Sequence, residues 1–241
     1  MGARREQVKP YLSSELKEIA ARAYVSYSRP APATIGVCTG CCMAPKTARA
    51  MLDSAVGDIS LDQILEWYGA AKDRDLSANH VFWMLPRVLD FIARGEDIAF
   101  CGNQIAFRHF RNASLMPQWP KSEKALFQEY AAAFMDARLD QRYPELDLNF
   151  CMFAKSGVEM GEVLARLDQC DPLRFSKAII AEAYNGALRI GRDAFWEDSP
   201  ALDAICNWLA DPKLADRLMT WAMAHEGEDA DLVWRAAGLV D

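Results

Sequence analysis

Only three histidines occur in the 241 residues, His80, His109 and His225, and no two stand four positions apart. That excludes the His-Glu-x-x-His pattern of zinc hydrolases and leaves little for histidine-based acid–base work. The glycine-rich phosphate loops G-x-G-x-x-G and G-x-x-x-x-G-K-[ST] are missing, and so is the G-x-S-x-G elbow. Dehydrogenase, kinase and hydrolase readings thus have no residue support, and the sequence leans away from an enzyme. No apolar run reaches the roughly 18 residues of a membrane-spanning helix. The opening MGARREQVKPYLSSELKEIAARAY is charged throughout and lacks the apolar core of a signal peptide. Basic residues number 27 against 34 acidic ones, a net charge of −7 with no basic block. Such a balance argues against nucleic acid or an anionic membrane as partner. The expectation is a cytoplasmic protein whose partner is another protein.

What is present is helical periodicity. Ser13 and Ser14 before Glu15 suit a helix start, and Ser60-Leu61-Asp62-Gln63 is a capping box. Behind that box Leu61, Ile64, Leu65 and Tyr68 share a face. Ser122 and Glu123 open a segment whose stripe is Leu126, Phe127, Tyr130 and Phe134. Asp171-Pro172, Ser199-Pro200 and Asp211-Pro212 each place a polar cap before a proline at the first helical position, where its missing N–H costs nothing. The first of these predicts a helix through Ile180, Tyr184 and Ala187. Gly95 and Gly191 stand where helices end.

The fold class is therefore all-α, an irregular multi-helix bundle of antiparallel helix pairs. One stretch departs from it. Residues 98–107 read either as a short hairpin turning at Gly102-Asn103 or as a helix that breaks at Gly102. Residues 1–12 read as a flexible tail and 13–241 as a single helical domain. A seam is expected near 113–121, around Pro117 and Pro120, and Tyr143 to Gly157 offers a second place for one.

Two local features carry chemistry. The first is Thr34-Ile35-Gly36-Val37-Cys38-Thr39-Gly40-Cys41-Cys42-Met43-Ala44-Pro45, which holds three of the seven cysteines. Cys38 and Cys41 have the C-x2-C spacing that lets two thiolates meet on one ion, with Gly40 relaxing the turn. Cys42 is a third candidate ligand; the cofactor is left open, with zinc as its candidate. His80, Cys101 and His109 are the remaining singletons a fold could bring near. The same box reads as thiol-redox, since Pro45 marks a helix start that would lower a thiol pKa. It also reads as a turn of buried, inert cysteines.

The second feature is Asn79-His80-Val81-Phe82-Trp83-Met84-Leu85-Pro86-Arg87-Val88-Leu89-Asp90, apolar in nearly every direction and so central and buried. Arg87 and Asp90, at i, i+3, are expected to pair. Arg87 with His80 could instead line a pocket for an anionic ligand.

Together the cysteine box and Phe82-Trp83-Met84-Leu85-Pro86-Arg87-Val88-Leu89-Asp90 resemble a group of uncharacterised bacterial proteins. That group carries a cysteine pair followed by a helix and a YFLPRxLEL-type box. Trp119-Pro120 with Glu123 and Ala125, and the segment Leu202 to Leu218, are similar in spirit to its second half. This chain departs from the pattern at Trp83-Met84 and at Asp90, where the group has Glu. The resemblance implies a bacterial, cytosolic, helical protein and supplies no catalytic residue. The resulting expectation is a non-catalytic protein-interaction module of the adaptor or immunity type, the alternative being a zinc-binding or thiol-redox protein using Cys38, Cys41 and Cys42.

Overall fold

Caps written in the sequence set where helices begin. The computed structural model describes residues 9–73, 76–111, 119–196 and 200–240. The chain forms two compact units, Met1–Gly102 and Asn103–Asp241. The first holds α1 (Ser14–Ser26), α2 (Pro45–Asp53), α3 (Leu61–Gly69) and α4 (Ala78–Ala93). The second holds α5 (Lys121–Arg138), α6 (Leu146–Ala154), α7 (Met160–Asp168) and α8 (Pro172–Glu182). A hairpin of β1 (Ala183–Tyr184) and β2 (Ala187–Leu188) follows, then α9 (Pro200–Leu209), α10 (Pro212–Met223) and α11 (Glu228–Val240). Helix makes up 63% of the structure, which is an all-α fold with one two-stranded hairpin among the described residues. The expected seam near 113–121 falls mostly on residues 112–118, which lie outside the described residues, as does Ser199.

The expected caps are in place. Ser13 Oγ accepts the Leu16 N–H, and Ser60 and Gln63 exchange both bonds of a capping box. Asp171 and Asp211 accept the N–H groups of Arg174 and Lys213, each ahead of its proline. Gly95 ends α4 with φ +67, a conformation that costs a residue with a side chain.

In the first unit α4 is the central element, packed on α1 and buried along nearly its whole length, with Pro86 inside it and not ending it. Its one buried carboxylate is the hub. Asp90 Oδ2 accepts from Arg87 Nη1 at 2.8 Å, and Oδ1 from the Tyr11 hydroxyl at 2.5 Å and Arg94 Nε at 3.2 Å. Arg87 also donates to the Ile59 carbonyl and lies over the Phe91 ring. Arg94 stacks on Tyr11 and donates to the Lys9 carbonyl, and the Leu12 N–H donates to the Ala93 carbonyl. Of the expected N-terminal tail, residues 1–8 lie outside the described residues, and 9–12 are fastened to α4. Burial and the Asp90 contact push the Tyr11 hydroxyl up to about 12, so it remains a donor.

In the second unit the core is aromatic. Phe107, Phe110, Trp119, Phe127, Tyr130, Phe134 and Phe153 meet edge-on and stacked, with Phe127 5.0 Å from Phe107 and 5.1 Å from Trp119. Tyr143 to Gly157, expected as a seam, instead contains α6, which is buried on all sides through Leu146, Phe150, Cys151, Met152 and Phe153. A helix without a polar face shows no 3.6-residue alternation, which is why the periodicity misses it.

The hairpin is also displaced from its expected place. Residues 98–107 form turns and a short 3-10 helix, Asn103–Ile105. The strands form at 183–188, around Asn185 (φ +52) and Gly186 (φ +74). Both central residues hold the positive φ that a two-residue type I′ turn needs, the conformation for which Asn-Gly is the strongest sequence signal. The helix from Pro172 therefore stops at Glu182, short of Tyr184 and Ala187. Gly191 then ends no helix and lies in the loop beyond the hairpin.

Removing one partner from a buried, paired charge set costs about 3–5 kcal/mol. Asp90→Ala, which strands Arg87, Arg94 and Tyr11, is expected to lose that amount in urea denaturation. Asp62→Ala, an exposed helix position, serves as control, with a change of about 0.5 kcal/mol or less.

Candidate metal centre

The cysteine box is a loop held by its ends. Ile35 is buried and its carbonyl accepts the Trp67 indole N–H at 2.9 Å. The Gly36 carbonyl accepts the Asp73 N–H, Val37 bridges Lys72 in antiparallel fashion, and the Cys38 N–H donates to Ala71 at 2.8 Å. At the far end Met43 is buried and its N–H donates to the Cys38 carbonyl at 3.1 Å. The Ala44 N–H donates to Glu66 Oε1 at 2.7 Å, and α2 begins at Pro45. With both ends fixed, residues 38–42 turn back on themselves and stack their sulfurs together.

Cys38 is half-buried, while Cys41 and Cys42 are exposed. Cys38 Sγ lies 3.6 Å from Cys41 Sγ, which lies 3.6 Å from Cys42 Sγ, and all three sulfurs fall within 4.8 Å of one another. Two thiolates bound to one tetrahedral ion at ~2.3 Å stand about 3.8 Å apart. The observed separations therefore match shared ligation, and they exceed the ~2.05 Å of a disulfide bond.

The sulfurs differ in acidity. Backbone N–H groups of Cys41 and Gly40 point at Cys38 Sγ, and with the Cys41 thiol they lower its pKa from 9.0 to about 7. The turn itself is thus a cause that the sequence reading, which looks to the start of α2, does not foresee. Hydrogen bonds to Cys42 and Cys38, with their repulsion, raise Cys41 to about 11. One sulfur is thus a ready thiolate near neutrality, and a cation would be needed to draw the proton from Cys41.

His80, a candidate from the sequence, is taken up elsewhere. The Ser77 N–H donates to its Nδ1 at 3.0 Å, so Nδ1 accepts and the proton sits on Nε2, which faces Thr34 Oγ1 at 3.2 Å. The ring anchors the loop before α4 to the segment leading into the box. It also explains Gly36, whose φ is +68 and where a Cβ would stand 2.7 Å from the His80 ring. Arg87 and Asp90 bond to each other and to the neighbours given above, while His80 bonds to Ser77 and Thr34. Within the first unit, no described His, Cys, Asp or Glu joins the three cysteines as a fourth ligand. His109 belongs to the second unit and receives an N–H from Arg108. Glu66 and Ala71, which fix the loop, carry no local signal in the sequence.

Among the described residues no helix is long and apolar enough to cross a membrane. No protein-family model, curated protein or solved structure matches this chain.

In metal-free, reduced protein, alkylation by iodoacetamide followed by peptide mass spectrometry is expected to label Cys38 first, with a pH midpoint near 7. A midpoint at the ordinary 9.0 would contradict the turn geometry. Gly36→Ala forces a side chain into left-handed backbone, which alone costs about 1–2 kcal/mol. The His80 ring must also move, so the expected loss in denaturation is at or above the upper end of that range.

Proposed function

We propose that this protein binds a thiophilic metal cation through Cys38, Cys41 and Cys42, leaving one coordination position open. The observation that carries the reading is the approach of three sulfurs to within 4.8 Å on a loop clamped at both ends. Soft thiolates select zinc, cuprous ions or iron–sulfur clusters over hard cations such as magnesium or calcium. A closed structural zinc site needs four protein ligands, whereas three leave a place for water or an incoming ligand. Cys41 and Cys42 are exposed, so that fourth place opens to solvent, and the metal exchanges without unfolding the loop. The role is therefore reversible metal handling, with zinc as the first cation to test.

Cobalt(II) titration of reduced, metal-free protein provides the test, because sulfur-to-metal charge-transfer absorption counts bound thiolates. One equivalent is expected, displaced by zinc, with release of protons from the thiols. The Cys38→Ser, Cys41→Ser double variant is expected to show neither the absorption nor the proton release. Absent metal together with a stoichiometric Cys38–Cys41 disulfide after mild oxidation would favour the thiol-redox reading instead. Native protein that takes up no cobalt or zinc, with all thiols free, would leave the box a structural turn.

A further inference from the structure

Where the Asn185-Gly186 hairpin follows α8, the second unit carries an open cleft of about 520 Å³, within the ~300–1,000 Å³ range of small-molecule sites. Four carboxylates line it, and each is already engaged. Asp147 is buried; its Oδ1 accepts from the Gly191 N–H at 2.7 Å and the Trp196 indole N–H at 2.6 Å, and its Oδ2 from the Asp193 N–H at 2.9 Å. Glu182 Oε1 accepts the Leu146 N–H at 2.8 Å, Glu145 pairs with Arg138 at 2.6 Å, and Asp193 accepts the Phe195 N–H.

The two arginines of the same cleft are placed differently. Among the described residues neither Arg189 nor Arg192 pairs with a carboxylate, and Arg189 lies 3.7 Å over the Tyr184 ring. Each guanidinium offers five N–H donors in a planar fork suited to an oxyanion. The two guanidiniums are therefore uncommitted donors beside carboxylates that each already hold a hydrogen bond or ion pair. The backbone on both sides of Arg192, at Gly191 and Asp193, is tied to Asp147, which fixes the point from which its exposed side chain extends. Two tyrosines in the lining, Tyr143 and Tyr184, are 66% and 55% exposed and offer ring surface. Glu145, at the start of α6, holds a left-handed φ of +51, a strain of the kind that gathers at ligand sites.

We propose that this cleft binds a small phosphate monoester carrying a planar ring, its phosphate on Arg189 and Arg192 and its ring against Tyr184 or Tyr143. This site is separate in residues and chemistry from the cysteine box and stands or falls apart from it.

Phenyl phosphate and inorganic phosphate serve as probes in calorimetric titrations of the full chain. Phenyl phosphate is expected to bind at least tenfold more tightly than inorganic phosphate. The Arg189→Ala, Arg192→Ala double variant is expected to weaken it at least tenfold with thermal melting unchanged, because both side chains are exposed. The Tyr143→Ala, Tyr184→Ala double variant is expected to bring phenyl phosphate toward the affinity of inorganic phosphate, and Cys38→Ser, Cys41→Ser to bind it as the native chain does. No binding of phenyl phosphate at millimolar concentration, equal affinity for the two probes, or an undiminished affinity in the double arginine variant would each overturn the proposal.

Discussion

A carboxylate withdrawn from water must have its lone pairs filled by donors, and in this protein two such groups draw distant segments together. Asp90 in the first unit gathers Tyr11, Arg87 and Arg94, and through the arginines the carbonyls of Lys9 and Ile59. Asp147 in the second gathers the backbone of Gly191 and Asp193 and the indole of Trp196. Neither group can lose its donors cheaply, since an unpaired buried charge costs far more than a hydrogen bond returns. Asp90 thereby turns an N-terminal stretch into part of the α4 packing. Asp147 turns a loop into the fixed edge of a cleft.

The cysteine box follows a related logic with backbone groups in place of a carboxylate. Its ends are held by hydrogen bonds to Trp67, Asp73, Ala71 and Glu66, and by burial of Ile35 and Met43. The middle of the loop has little freedom left, so three side chains that are adjacent in sequence become adjacent in space. His80 supports this from the other side by filling the room that Gly36 leaves. The sequence offers His80 as a metal ligand or as a pocket residue with Arg87. The structure uses it as a spacer whose two nitrogens are occupied.

How much of this was legible depended on whether the signal was local. Capping at Ser60 and Gln63 and the Asp-Pro starts at 171 and 211 are contacts within four residues, and they read correctly. The Arg87–Asp90 pair lies one turn apart and read correctly as well. Tyr11 completing that pair did not, because it meets Asp90 from another segment, whereas Arg94 at i, i+4 was a local signal that went unused. The segment around α6 hid because uniform burial erases the alternation that betrays a helix. Asn185-Gly186 was a strong local signal that went unused, since the apolar spacing of Ile180, Tyr184 and Ala187 fitted a longer helix. Turn chemistry outranked periodicity there, because positive φ at two successive residues is incompatible with continuing the helix.

The seven cysteines show why thiol chemistry cannot be read from composition or even from exposure. Cys151 is buried in α6 and acts as a small apolar group. Cys170 is raised to about 11 and Cys206 is also raised, each chiefly by burial. Cys41 is exposed and is nevertheless raised, because its sulfur neighbours prefer it protonated. Only Cys38 moves clearly downward, and it is less exposed than Cys41 or Cys42. What separates it is a pair of turn N–H groups aimed at its sulfur. The Cys41 N–H contributes most and the Gly40 N–H second, so the backbone of the turn, more than any side chain, sets the acidity of Cys38. In the proposed metal site a cation would therefore meet Cys38 first, with two further sulfurs within reach, whereas exposure alone would assign that place to Cys41.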